Sequence, residues 1–545
     1  MSSITLSPEA GPRPAQAAPA PRPAPVPRPV EEAVPLKTWI AVVGAALGAF
    51  LAILNIQIVS SSLADIQGAI GAGADEGGWI TTAYLVAEII VIPISGWLAR
   101  VFSVRLYLLV NTFAFLVMTV ACAFADNLGQ MIVMRALQGF AGGVLIPLAF
   151  SIIMTRLPPS KHAIGLSIYA ISAIFAPSIG PVIGGWCNET FGWQSIFFVN
   201  LLPGAVMLAM LWFSLDGEPL QLGLLRKGDW LGIATIAVGL GSLETVLEEG
   251  EKDDWFGSTF IVRLSAVAAL ALAAFIVVQL RRKAPLLNLR LLARRNFGLG
   301  TVANFFFGFS MYGWLYVVPL YLARIQGYNA EQIGSVLIWI GLPQLAIIPL
   351  IPRLMRWADP RRLVIAGLAL FIVGTLLAAN LSSDFSGPQF IASSLVRAVA
   401  QALVMTPLSA IAVAGIEREN AGSASALYNM IRNMGGAIGI AALQTFLTER
   451  EQFHSDVLTG QVSLLGQATR ARLDALANRF LSHGAVDSAL AHREAAVAVA
   501  RVVRRQAYML AFSDAVILQA ALLGLALLLA LLLKKAQSGP AGEAH

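Results

Sequence analysis

The chain has 545 residues, of which 57% are hydrophobic and only 12% charged, and its mean hydropathy is +0.73. A soluble globular protein is far less apolar, so the composition excludes that class. The net charge of +6 arises from Lys and Arg in short segments between apolar runs, which argues against nucleic-acid binding. Two cysteines and five scattered histidines predict neither a disulfide framework nor a metal site, and no cofactor is expected.

The first 37 residues are rich in Pro and Ala and lack the apolar core and cleavage site of a signal peptide. We predict a disordered cytoplasmic tail over residues 1–37. A docking role for this tail is an alternative, but the composition favours an inert segment.

Apolar runs of about 20 residues, the thickness of a bilayer core, recur along the rest of the chain. They predict an all-α integral membrane protein with fourteen spans, at approximately 38–61, 79–99, 106–125, 132–154, 163–186, 195–214, 230–248, 260–280, 297–322, 332–352, 362–380, 389–413, 422–447 and 508–533. Arginine and lysine concentrate in alternate loops, so the positive-inside rule places both termini in the cytoplasm. The even number of spans requires the same orientation.

A weak internal repeat relates spans that lie eight apart. Tyr169 precedes Ala176 and Gly180 in the fifth span at the same offsets at which Tyr428 precedes Gly435 and Gly439 in the thirteenth. Two six-helix halves separated by two inserted helices would explain this spacing. The predicted organisation is therefore a bundle over 38–214, inserted helices and a linker over 215–296, a second bundle over 297–533 and a cytoplasmic tail over 534–545. The segment 448–507 within the second bundle is predicted to be an external loop with amphipathic helices.

The fifth span contains small residues and prolines at helical spacing. Ala176, Gly180 and Gly184 share one helix face, where another helix can approach closely. Pro177 and Pro181 each remove a backbone donor, and Gly185 completes the motif.

Six short motifs occur in an order and spacing that together resemble a known family. They are Trp79 to Leu85 (WITTAYL), Gly96 to Arg100 with Arg105 beyond it, Arg135 to Gly139 (RALQG), Ala176 to Gly185 (APSIGPVIGG), Trp193 to Asn200 (WQSIFFVN) and Arg294 to Phe297 (RRNF). From about residue 38 to 533 the chain is similar to the fourteen-span drug:proton antiporters of the major facilitator superfamily, the EmrB/QacA-like group.

The resemblance implies the major facilitator fold, with two six-helix bundles and two inserted helices. It implies export of hydrophobic or amphiphilic compounds from bacteria, driven by protons and working by alternating access in the inner membrane. The partners it implies are a small-molecule substrate, protons, the lipid bilayer and a periplasmic adaptor protein, with no nucleic acid.

Two positions depart from the pattern of that group. Arg100 stands where the cytoplasmic loop motif usually has Asp, and Asn55 stands where the first span usually has Asp. The resemblance assigns coupling to that first-span carboxylate, so this chain must couple transport differently or more weakly.

Glu88 is the candidate proton carrier. It lies in the middle of the second span, where a charged side chain costs at least about 2.5–3.5 kcal/mol unless it faces a cavity or a partner. A buried carboxylate can bind and release a proton near neutral pH. The resemblance makes Arg135 the cation that tunes it. The alternatives are a structural glutamate and an arginine that extends to the membrane surface.

Further polar and aromatic side chains within the spans are candidates for the substrate cavity. They are Asn55, Tyr84, Gln138, Trp314, Gln344, Arg397, Gln401, Tyr428, Asn429 and Arg432. Ordinary packing or structural pairing is the alternative for each of them. Glu244, late in the inserted seventh span, is expected to reach the membrane surface as a structural residue.

The predicted function is proton-coupled export of hydrophobic or amphiphilic compounds, and no enzyme activity is expected. A uniporter or importer of a metabolite with the same fold is the alternative, because Asn55 leaves the coupling open. A membrane enzyme or a channel is a third class. No cluster with catalytic spacing supports an enzyme, and the repeat disfavours a channel.

Overall fold

A computed structural model describes residues 34–535 except 74–75, 227, 283–284, 463–465 and 483–486. Most of the predicted tail 1–37 and of the predicted tail 534–545 lies outside the described residues. The described residues form α-helices and short 3-10 or π segments, without a strand. The all-α architecture is therefore confirmed.

The helices follow one another with short connections. They are α1 (Leu36–Ser61), α2 (Leu63–Ile70), α3 (Trp79–Phe102), α4 (Val104–Ala123), α5 (Leu128–Gly142), α6 (Leu145–Arg156), α7 (His162–Phe191), α8 (Ser195–Phe198), α9 (Leu201–Ser214), α10 (Gly223–Arg226), α11 (Trp230–Glu249), α12 (Thr259–Arg281), α13 (Arg295–Tyr321), α14 (Ala330–Ile347), α15 (Ile351–Trp357), α16 (Pro360–Leu376), α17 (Phe390–Val413), α18 (Ala421–Gln461), α19 (Gln467–Ser482) and α20 (Ser488–Leu531).

Twelve helical segments of the described chain are long and apolar enough to cross a bilayer. The other two predicted spans coincide with α16, which has 17 residues, and with the first part of α18, which has 41. Every predicted span thus falls on one or more helical segments, while the count of fourteen crossings stays a prediction.

The predicted fourth span is divided into two helices, α5 and α6, at Gly143 and Val144. Pro147 has no backbone N–H and cannot complete the helical hydrogen bond to Gly143. Gly143 also contacts α3, because a Cβ there would meet the backbone of Glu88 within 2.9 Å. The break therefore lies at a close contact between the fourth span and the second.

The helices pack as two sets joined by a few contacts, and the inserted pair α11 and α12 packs as a hairpin. In the first set α1 packs on α7 and α3 on α5; in the second, α13 packs on α18 and α16 on α17. The sets meet where α3 packs on α18 and where α7 packs on α14. These helices are the second, thirteenth, fifth and tenth predicted spans. The internal repeat relates the two contacts, because the second and tenth spans lie eight apart and so do the fifth and thirteenth.

Helix α7 runs unbroken through both prolines of its motif. Its glycines face α1, since a Cβ on Gly180 would overlap the Gln57 side chain and one on Gly184 would meet the Ile58 backbone. Glycines of α14 face α7 in the same way, Gly334 at Val182 and Gly341 at Ser178. Small residues thus let α7 lie tightly between a helix of its own set and one of the other set.

The predicted external segment 448–507 is helical over its described part. Helix α18 continues to Gln461, α19 follows, and α20 begins at Ser488, well before the predicted last span. A small apolar cluster around Ala477, Ala491 and Ala495 packs α19 on α20. The two spans are therefore the inner parts of longer helices that extend beyond the predicted membrane boundary.

Replacing Gly139 by Ala should destabilise the protein, because the added Cβ would overlap the backbone of Tyr84 and push α5 away from α3. Overpacking of this kind costs about 1–3 kcal/mol. The matched control is Gly524→Ala in α20, where a Cβ meets nothing within 4 Å and a helical glycine is removed. Thermal unfolding in detergent should show a lower Tm for the first variant and an equal or higher Tm for the second. Equal Tm values would contradict the close α3–α5 contact.

Candidate transport site

A cavity of about 370 Å³, which we call the main cavity, lies between the two helix sets and α11. Its lining on α3 runs from Ile92 through Glu88 in the middle of the helix to Thr81, and it extends to Gly78 and Lys252. Gly78 precedes α3, whereas Arg100 lies in its last turn. We call the end of the bundle that carries Arg100 the basic end, and the end reached by the cavity the opposite end.

Glu88 contributes a carboxylate to this cavity. The residue is 4% exposed. Among the described residues it has no hydrogen-bond or ion-pair partner. Arg135 and Arg432, one from each helix set, lie near enough for their charges to act on Glu88 without touching it. An isolated carboxylate at this depth, close to two cations, is suited to gain and lose a proton.

Arg135 is fully buried and bonds to neutral groups. Its guanidinium donates to Asn55 Oδ1 at 2.7 Å, to Gln138 Oε1 at 2.5 Å and to the Ile80 carbonyl at 3.2 Å. It also lies over the Tyr84 ring, 4.3 Å from the centroid. Asn55 occupies the first-span position at which the resemblance expects Asp. The substitution therefore leaves a buried cation without a carboxylate partner among the described residues.

Arg397 occupies an equivalent environment in the second set. Its guanidinium lies between two aromatic rings, 3.9 Å from the centroid of Trp314 and 4.5 Å from that of Phe371. It donates to Thr375 Oγ1 at 2.5 Å and more weakly to the Ser310 carbonyl at 3.4 Å. Stacking and neutral acceptors hold this charge within α13, α16 and α17.

Arg432 belongs to a set of contacts that closes the bundle between the cavity and the basic end. Tyr169 on α7 donates to Asn429 Oδ1 on α18 at 2.6 Å and accepts from Arg432 at 3.3 Å. The Phe150 ring of α6 packs against the rings of both repeat-related tyrosines, Tyr169 at 5.7 Å and Tyr428 at 6.0 Å. We call these five residues the closing cluster. It joins α6 and α7 to α18.

Residues 249–255, which are the last residue of α11 and the first part of its connection to α12, cross the opposite end; we call them the bridging loop. Glu249 accepts from Thr82 of α3 at 2.8 Å. Glu251 accepts from Gln444 of α18 at 2.7 Å, and Trp255 donates to Thr445 at 3.0 Å. The inserted pair thus contacts both helix sets beside the mouth of the cavity.

None of the ten residues predicted for the substrate cavity lines the main cavity. Asn55, Tyr84 and Gln138 surround Arg135, and Tyr428, Asn429 and Arg432 form part of the closing cluster. Trp314 and Gln401 border a separate void of about 10 Å³, where Gln401 accepts from Gln344 at 2.8 Å. Arg397 stacks on Trp314. A substrate role for these residues stays a prediction.

The main cavity is lined instead by residues that were not predicted to bind substrate, among them the candidate proton carrier Glu88. Its polar and aromatic members are Gln57, Ser60, Thr81, Glu88, Glu244, Glu248, Lys252, Tyr312, Tyr316, Asn433 and Gln444. Glu244 was expected at the membrane surface but is 4% exposed and faces the cavity. The sequence signal for this part of the cavity lining was the pair Glu244 and Glu248, two glutamates one helical turn apart within an apolar helix.

The loop and antiporter motifs lie at helix contacts. Gly96 faces the backbone of Gly422 at the basic end, where α3 meets α18. Arg105 lies over the Trp212 ring at 4.9 Å, whereas Arg100 is exposed. In the antiporter motif Ala176, Gly180, Gly184 and Gly185 are buried or half-buried on α7, between α1 and α14. Pro177 borders the small void beside Trp314.

Outside the membrane-spanning segments, one ion pair at the basic end strongly lowers the pKa of its carboxyl group. Arg294 donates to Glu417 at 2.6 Å, and this bond, with help from Asn420, holds the pKa of Glu417 at about 2. Both partners are about half exposed, so the pair contributes little to stability. It ties the start of α13 to the loop before α18.

Comparison with known proteins gives consistent results. The chain is 30% identical over 451 residues to the colistin resistance protein EmrB of Acinetobacter baumannii, covering 83% of this chain and 88% of the relative. It is 32% identical over 431 residues to the multidrug export protein EmrB of Escherichia coli K12, covering 78% and 83%. The structure of the human organic anion transporter MFSD10 (TETRAN) has the same fold, with a TM-score of 0.56 and 16% identity over 89% of this chain and 99% of that one.

The family sequence profile described as Major Facilitator Superfamily matches residues 45–440. That match covers the first helix set, the inserted pair and most of the second set. The profile match, the paired helix contacts and the main cavity agree. The chain belongs to the Major Facilitator Superfamily and is a transporter similar to the EmrB proteins.

Proposed function

We propose that this protein exports hydrophobic or amphiphilic compounds across the bacterial inner membrane in exchange for protons, by alternating access. The observation that carries the proposal is the unpartnered Glu88 carboxylate in a cavity that is closed toward the basic end and reaches the opposite end. The export activity in the name of the Escherichia coli relative supports the direction of transport.

The arginine-rich loops orient the protein in this proposal. The positive-inside rule puts the basic end, and with it both termini, in the cytoplasm. The cavity then opens toward the periplasm, and the helical segment 448–507 is periplasmic. That segment is the largest part of the chain outside the bundle on this side, so a periplasmic adaptor would contact it.

The two helix sets act as two bodies that rock about the α3–α18 and α7–α14 contacts. Protons enter the periplasmic cavity and neutralise Glu88, which removes its attraction to Arg135 and Arg432 and competes with bound substrate. The closing cluster then separates while the bridging loop and the periplasmic mouth close. Release of the proton to the cytoplasm restores the charge of Glu88 and allows the next substrate to bind.

Glu88→Gln should abolish export against a gradient, because the amide cannot bind and release a proton. Efflux-deficient cells that produce this variant should accumulate ethidium to the same level as cells without the transporter. Wild type should reduce accumulation, and an uncoupler should remove that reduction. Glu189→Gln, an exposed carboxylate at the end of α7, is the matched control and should behave as wild type. Uphill export by the Glu88 variant at the wild-type rate would falsify the coupling assignment.

Asn55→Asp should stabilise the protein, because it gives the buried Arg135 guanidinium a carboxylate in place of an amide oxygen at 2.7 Å. A hydrogen bond to a charged group contributes about 1.5–3 kcal/mol. Asn429→Asp is the control: its amide donates to the Ser425 carbonyl at 2.9 Å, and the carboxylate would lose that bond. Unfolding in detergent at neutral pH should raise the Tm for the first variant and lower it for the second. A lower Tm for both would contradict the geometry proposed around Arg135.

Tyr169→Phe should weaken the closed basic end, since the hydroxyl that links Asn429 and Arg432 is lost. Tyr428→Phe is the matched control, because that hydroxyl accepts from Ser409 within the second helix set.

Spin labels at Ser160→Cys and Ala414→Cys, on opposite sides of the basic end, would report its opening by pulsed electron resonance after removal of the two native cysteines. The Tyr169 variant should show a larger population of long distances, whereas the Tyr428 variant should match the parent. Identical distance distributions in all three proteins would argue against the closing cluster as a gate.

A further inference from the structure

We propose that the inserted helix α11 is a wall of the transport cavity, and that Glu244 and Glu248 on it bind the cationic group of the substrate. The protein would then select lipophilic cations over anions of the same size. The inference rests on the proposed export function and assigns its substrate class to residues outside the two repeated helix sets.

The position of α11 directs both carboxylates into the cavity. Glu244 and Glu248 are four residues apart and share one helix face. Gly241, on the same side one turn earlier, lies against Val86 and Ile90 of α3, at 3.6 and 3.0 Å from an added Cβ. The face that packs on α3 therefore continues as the cavity wall, opposite Tyr312 on α13.

None of the three cavity carboxylates forms an ion pair among the described residues. Glu244 is 4% exposed, and its Oε2 has no hydrogen-bond partner in the described structure. The charges of Glu248 and Glu88 are near enough to act on Glu244. Burying such groups without partners is unfavourable, so a cation that enters the cavity would be bound by all three.

The cations of the protein are directed elsewhere. Lys252 is the basic residue that lines the cavity among the described residues, and its ammonium donates to Glu249 at 3.1 Å. Arg135, Arg397 and Arg432 are buried outside the lining. Three carboxylates and one lysine line the cavity, and Arg135 and Arg432 act on Glu88 from outside the lining, so the wall formed by Glu244 and Glu248 is the most acidic part of the cavity.

The remaining lining accommodates an apolar body. Tyr312 and Tyr316 contribute aromatic rings, and Leu85, Ile89 and Ile440 contribute aliphatic surface. A cavity of about 370 Å³ falls in the range that holds a drug-sized ligand. Aromatic faces also attract cations, which adds to the same charge preference.

The test compares two ions of nearly equal shape and opposite charge, tetraphenylphosphonium and tetraphenylborate. Their binding to the full-length protein in nanodiscs would be measured by equilibrium dialysis, with empty nanodiscs subtracted. Wild type should bind the phosphonium at least about tenfold more tightly than the borate. Glu244→Gln/Glu248→Gln should lose most of that preference, and Lys252→Gln should increase it. Glu189→Gln, which removes a carboxylate outside the cavity, should leave the preference unchanged.

Folding is checked by the thermal stability of each variant, and the single Glu244→Gln and Glu248→Gln variants serve if the double variant is unstable. Equal binding of the two ions by wild type, no binding of the phosphonium, or an unchanged preference in the glutamine variants would each overturn the proposal. Binding is measured without a proton gradient. A protein that binds the phosphonium selectively but does not export it would therefore refute the export function while leaving the charge selection intact.

Discussion

The burial of three arginine side chains dictates much of the arrangement of this protein. Arg135, Arg397 and Arg432 are each at most 1% exposed, and a bare guanidinium at that depth would be very costly. Each one lies near an aromatic ring and donates to neutral oxygens, and the described residues offer none of them a carboxylate at ion-pair distance. The helices that supply these groups must stay together, so each arginine fixes a set of helix contacts. Asn55 accepts a hydrogen bond from Arg135, and Glu88 has no ion-pair partner among the described residues, as the proposed coupling role requires.

The repeat also determines how the two helix sets contact each other at the two ends of the bundle. Tyr169 and Tyr428 occupy equivalent positions in the two helix sets, yet they meet at a single ring, Phe150. The contact of Phe150 with Tyr428 joins the two sets, so it breaks when the sets separate. The contacts across the opposite end include those of the bridging loop, which belongs to the inserted pair and has no counterpart in the repeat. Closure at the two ends therefore depends on chemically different bonds, which can be weakened independently.

Much of the fold followed from apolar periodicity, because a bilayer forces nearly every span to be a helix of similar length. The repeat of Tyr169 and Tyr428 predicted two helix sets. Glu88 was singled out because a charged side chain in the middle of a span is costly unless it has a function or a partner. The cavity lining could not be predicted: Asn55 and Gln138 look like pore residues, yet they satisfy Arg135. Glu244 looked peripheral because hydropathy places it near a helix end, while the packing of α11 on α3 buries it. Which face of a helix meets which neighbour depends on tertiary contacts such as Gly241 against Ile90.

The inserted pair also changes what a two-set transporter can recognise. In a cavity formed only by the two repeated sets, each lining helix has a repeat-related helix in the other set. A charged side chain on such a helix must then be compatible with the rocking motion of both sets. Helix α11 lies outside the repeat and adds Glu244 and Glu248 to one side of the cavity. The bridging loop, which follows directly, bonds to both sets and holds that helix beside the mouth. A carboxylate on α11 can thus attract a substrate without taking part in the α3–α18 contact on which rocking depends. On the roles proposed for these residues, recognition and coupling can be altered separately, since Glu88 belongs to a repeated set and Glu244 does not.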